Sequence, residues 1–80
     1  MNITDDIPKN RLRELRETEG LSQSELAQQA GVSADTIGDA ENSRRRISNR
    51  VKNKIVRGLN VTAKSNSGTS YTLRDVFPNG

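Results

Sequence analysis

The chain of 80 residues contains no cysteine, no histidine and no tryptophan. The first absence excludes disulfide cross-links and thiolate chemistry, and the two together exclude the usual zinc ligand sets. A thiol-free chain also suits a reducing compartment. Aromatic side chains are down to one Tyr and one Phe, and hydrophobic residues make up 30%. A core drawn from so little supplies only about 3–5 kcal/mol at this size. No apolar run approaches the roughly 20 residues that cross a bilayer, and no signal-peptide core stands near the start. The expectation is therefore a single soluble domain over 1–80, cytoplasmic and without a membrane partner. Nothing has the pattern of an active site: there is no Ser/Lys pair, no carboxylate pair with a pocket, and no Gly-rich phosphate loop. A protein without enzymatic activity, cofactor or metal is expected.

What the chain does have is charge, and it is unevenly placed. The formal net charge is +3. Residues 1–42 carry four basic side chains against nine acidic ones, a balance of −5. Residues 43–57 carry seven basic ones and no acid: Arg44, Arg45, Arg46, Arg50, Lys52, Lys54 and Arg57. A basic run of this density suits a polyanion, because each neutralised phosphate releases condensed counterions. It also suits a merely solvated helix face.

Four helix signals follow one another. Asp6 and Pro8 mark a first start, Leu12 and Leu15 recur at helical spacing, and Gly20 marks the end. Ser22-Gln23-Ser24-Glu25 is a capping box that opens a second helix through Leu26, Ala27 and Ala30, stopped by Gly31. Ser33 can cap a third helix, with Ile37 and Ala40 on its inner face. Ser48 can cap a fourth, in which Val51, Ile55 and Leu59 form an i, i+4, i+8 stripe and Asn60 closes the end. Residues 62–70 are small and polar and read as a flexible loop. Thr72 with Asp75 is a second capping box, opening a short helix over 72–77 before Pro78 stops it. Its rival is a hairpin pairing 61–65 with 69–73.

The informative unit is a pair of short helices joined by Ala30-Gly31-Val32-Ser33. The chain reverses at a Gly, and an aliphatic follows that can wedge between the helices. The second helix of such a pair fits a major groove about 12 Å wide. An ordinary helical hairpin would use the same signals. The residues go further. Leu12-Arg13-Glu14-Leu15-Arg16-Glu17 and Gly20-Leu21-Ser22-Gln23-Ser24-Glu25-Leu26-Ala27, continued by Gly31-Val32-Ser33, Thr36-Ile37, Glu41-Asn42 and Leu59-Asn60-Val61, resemble the helix-turn-helix of phage repressors, Cro proteins and their Xre-type bacterial relatives. The resemblance covers about residues 9–61. It implies an all-α, compact five-helix bundle of the phage-repressor type, with helix-turn-helix 22–42; the flexible insertion read over 62–70, before the last helix, departs from that pattern. It also implies a bacterial or phage-encoded transcriptional regulator, a repressor by occupancy, that binds a double-stranded DNA operator as a homodimer. The alternative is a protein-interaction module of the same fold, of antitoxin or anti-repressor type.

The resemblance also assigns residues. Arg16 and Glu41 match a partly buried structural ion pair. Ser22 and Gln23 match phosphate-holding positions, as do Asn42, Ser43, Arg44, Arg45 and Arg46, and Arg13 could reach phosphate as well. Ala34, Asp35, Thr36 and Asp39 fall where the family reads bases. The two carboxylates depart from its pattern. They could accept from cytosine N4, yet they also approach a field of phosphates, and Asp35 could simply favour the helix dipole. Gly38 costs the helix roughly 1 kcal/mol relative to Ala, either for a close backbone approach or for no reason. Leu73, Val76 and Phe77 make a small apolar face, expected to support the dimer, with core closure as the alternative.

Overall fold

Four of the five helices start the same way: a hydroxyl residue stands just before them and its oxygen accepts the amide three residues on. In the computed structural model, which describes residues 10–78, Ser22 Oγ takes Glu25 N–H at 3.0 Å. Ser33 Oγ takes Thr36 N–H at 3.1 Å, Ser48 Oγ takes Val51 N–H at 3.3 Å and Thr72 Oγ1 takes Asp75 N–H at 3.1 Å. Each bond satisfies a donor that the first helical turn leaves without a partner. The helices are α1 Leu12–Thr18, α2 Gln23–Ala30, α3 Ala34–Glu41, α4 Asn49–Ser67 and α5 Leu73–Val76. The first lacks a hydroxyl cap; Asn10 Oδ1 instead accepts Leu12 N–H at 3.0 Å. The expected start at Asp6 and Pro8 lies outside the described residues.

The core is built from the apolar stripes of all five helices. Leu12, Leu26, Ile37, Ile55, Leu59 and Val76 are its fully buried large side chains. Helices α2 and α4 cross closely at Gly58 and Ala30. A Cβ on Gly58 would lie 2.7–2.9 Å from the backbone and Cβ of Ala30, so only a glycine lets the two helices approach this closely. The fold is thus an all-α five-helix bundle, with no strand among the described residues; the hairpin over 61–73 does not form.

Three expectations about the C-terminal third are corrected. The loop expected over 62–70 shrinks to 68–70, since α4 runs on to Ser67 and stops at Gly68, whose φ of 71° is left-handed. The polar residues find partners on the helix and beside it. Ser65 and Ser67 donate to the carbonyls four residues back, Thr62 donates to Gln29 at 2.9 Å, and Asn66 donates to the Glu19 carbonyl at 3.3 Å. Buried Ala63 keeps the apolar stripe going. Asn60 therefore does not close α4. Its side-chain amide donates to the Tyr71 carbonyl at 2.9 Å and accepts the Tyr71 N–H at 2.7 Å, fastening the returning chain along α4.

The apolar face expected at Leu73, Val76 and Phe77 is turned inward within one copy. Val76 is 0% and Phe77 6% exposed within one copy, and Leu73 is half-buried against them. Arg11 N–H donates to the Val76 carbonyl at 2.9 Å. The tail closes the core.

Candidate nucleic-acid interface

The α2–α3 pair meets at Gly31 (φ 74°), where the Gly31 and Val32 amides both return to the Ala27 carbonyl. That turn sets α3 across α2 with Ile37 and Ala40 inward. It leaves Ala34, Asp35, Gly38 and Asp39 lining an open depression of about 430 Å³, together with Gln23, Asn42 and Arg44. Sequence-assigned phosphate and base positions from three separate stretches are therefore gathered on one face.

Two hydrogen-bond systems, buried or partly so, hold that face in place. Arg16 Nε donates to Glu41 Oε2, and Arg16 Nη2 reaches Glu41 Oε1 at 3.2 Å. The Glu41 side chain is 1% exposed. The hydrogen bond to Glu41 holds the Arg16 guanidinium still more firmly in its charged form. Arg16 Nη1 also donates to the Leu21 carbonyl at 2.7 Å, so one guanidinium ties α1, the start of α2 and the end of α3 together. Gln23 Nε2 joins by donating to Glu41 Oε1 at 3.1 Å. From the other side, Asn10 Nδ2 donates to the Ala40 carbonyl at 2.8 Å. The roles of Asn10, Gly58 and the Asn60–Tyr71 pairing went unread in the sequence. Only a glycine inside an apolar stripe could have flagged one of them.

At the front of α2 the capping box is complete, with Ser22 N–H donated to Glu25 Oε1 at 2.8 Å. The Ser22 amide is thus already occupied, and the unpartnered first-turn donors of the helix are those of Gln23 and Ser24. Asn42 Nδ2 donates to the Gly38 carbonyl at 2.9 Å, which closes α3. Arg13, on the exposed side of α1, is paired with Glu17 at 3.3 Å.

The loop after α3 folds back on it. Ser43 adopts φ 54°, a left-handed conformation uncommon for a side chain other than Gly, Asn or Asp. Ser43 N–H and Arg44 N–H return to the Ala40 and Asp39 carbonyls at 3.4 and 3.0 Å, a Schellman closure made without glycine. The turn lays two guanidinium groups on Asp39: Arg45 Nε lies 2.9 Å from Oδ2 and Arg44 Nη1 3.6 Å from Oδ1. The acid that looked out of place on a DNA-facing helix is bracketed by two cations, and the trio carries a net positive charge. Asp35 stands exposed in the first turn of α3, where a negative charge complements the helix dipole.

The sequence profile of the helix-turn-helix domain matches residues 10–64, well over half of the chain. The chain belongs to the helix-turn-helix domain family. This family assignment makes DNA the partner class that the α2–α3 face fits. No curated protein and no solved structure matches the chain. Among the described residues of this helix-turn-helix protein, no cluster of side chains could hold a metal ion and no helix is long and apolar enough to cross a membrane.

Proposed function

We propose that this helix-turn-helix protein is a sequence-specific transcriptional regulator that lays α3 in the major groove of duplex DNA and represses by occupying an operator. The observation that carries the reading is the convergence on one face of the α2 N-terminus, the outer side of α3 and the Arg44–Arg45–Asp39 cluster. In such a docking, helix N-terminal amides and loop cations hold phosphates while α3 meets base edges. The exposed cations continue along α4, where Arg50, Lys54 and Arg57 lie on one helical stripe. The likeness to phage repressors, Cro and Xre-type regulators supports repression over activation.

The test is the affinity for duplex DNA as a function of salt. Each phosphate neutralised adds about 0.9 to the slope of log K against log salt. A slope of several, reduced by roughly one in Arg44→Ala, supports the reading. Absence of salt-dependent binding would favour the protein-interaction module instead.

A further inference from the structure

We propose that Arg45, held by Asp39 and Thr36, reads a guanine in the major groove, and that Asp39 is its positioning residue and not itself a reader of bases. This rests on the DNA-binding reading above and concerns the same face. Arg45 is exposed in the loop that follows α3, its side chain 55% accessible. Its Nε donates to Asp39 Oδ2 at 2.9 Å, and its Nη2 donates to Thr36 Oγ1 at 3.4 Å. Thr36 is fixed in turn by Ser33, whose Oγ lies 2.8 Å from Thr36 Oγ1.

Nε and the neighbouring Nη2 proton share one edge of the planar guanidinium. That edge is taken by Asp39 and Thr36. The opposite, end-on edge, made of the Nη1 and outer Nη2 protons, is left for an outside acceptor pair. Guanine O6 and N7 form such a pair in the major groove, and a bidentate arginine is the commonest specific contact to them. A free arginine loses rotamer freedom on binding, whereas one already fixed loses less. The same cluster removes the difficulty of a bare carboxylate near phosphates, because Arg44 also lies on Asp39.

The reading separates from its rivals by base preference. Random duplexes are selected on the intact chain, and the best site and its single base-pair exchanges are then titrated against the wild type, Arg45→Ala, Arg45→Lys and Asp39→Asn. The wild type should require guanine at one position, with about ten- to a hundred-fold loss on exchange. Arg45→Ala should flatten that position. Arg45→Lys should keep affinity for unrelated duplex yet lose the preference, since it retains the charge without the fork. Asp39→Asn should weaken the guanine preference several-fold while raising affinity for unrelated duplex, because a negative charge is gone.

Uniform weakening of all duplexes by Arg45→Ala, with the preference intact, would make Arg45 a backbone contact and overturn the assignment. A switch from cytosine to adenine preference in Asp39→Asn would make Asp39 the reader and overturn it too. A wild type with no salt-dependent duplex binding would overturn the DNA-binding reading itself and this one with it.

Discussion

Arg16 makes hydrogen bonds to Glu41 and to the Leu21 carbonyl with its side chain 10% exposed, and the Glu41 side chain is 1% exposed. Removing one partner strands the other charge in the interior at about 3–5 kcal/mol, comparable to the whole stability of so small a domain. Arg16→Ala and Glu41→Ala should therefore be largely unfolded in chemical denaturation, and an unshifted midpoint in both would contradict the arrangement. Two glycines should behave oppositely. Gly58→Ala forces its methyl into the Ala30 backbone and should cost about 1–3 kcal/mol or more. At Gly38 the added Cβ would meet only the Gln23 side chain, at 3.7–3.9 Å. Gly38→Ala should gain up to about 1 kcal/mol of helix propensity, read as a raised Tm. Tyr71 is the only tyrosine, so its titration can be followed by phenolate absorbance alone. Its hydroxyl donates to buried Glu19 at 2.7 Å, and that hydrogen bond, with burial and the nearby carboxylate, pushes the phenol above its ordinary value near 10. A raised folded-state value means a contribution fully present below the unfolded pKa and lost as pH rises through the folded one. The native chain should ionise Tyr71 later than the urea-unfolded chain and lose stability on the alkaline side; coincident titrations would contradict the Glu19 contact.

Helix starts were legible because a cap is a local event: Ser22, Ser33, Ser48 and Thr72 each hydrogen-bond within three residues, and the stereochemistry is written in neighbouring letters. The α4 end was not. Residues 62–67 have the composition of a loop, and their helix is held by Thr62 to Gln29 and Asn66 to Glu19, partners from distant parts of the chain, and by the burial of Ala63. Amide exchange should find 62–67 protected with the rest of α4; exchange at the rate of an open loop would restore the loop reading. The α3 C-terminus was equally hidden, because its left-handed residue is Ser43 and not glycine. Of the candidate site, the positions on α2 and α3 could be assigned from the sequence, but the partner of Asp39 could not. Asp39 and Arg45 are six residues apart, beyond the helical neighbour spacing, and only the reversal at Ser43 joins them.

At the scale of the whole molecule the acidic and basic halves of the sequence stop being halves. Glu14 and Glu17 on α1 are paired with Arg11, just before that helix, and Arg13 within it, Asp39 is covered by Arg44 and Arg45, and the basic run remains exposed beyond the α3 end. The tail belongs to the same body. Truncation after Ser70 removes Val76 and Phe77 from the core and should unfold the chain, seen as loss of helical circular dichroism; a folded truncated chain would contradict core closure. The central claim, that duplex DNA docks on the α2–α3 face, is tested most directly by titrating the isotopically labelled chain with a duplex and mapping amide chemical-shift changes. The account predicts the largest changes at Gln23 and Ser24, along 34–39 and over 42–46. Changes confined to the α5 side of the bundle, or none at all at low salt, would contradict it.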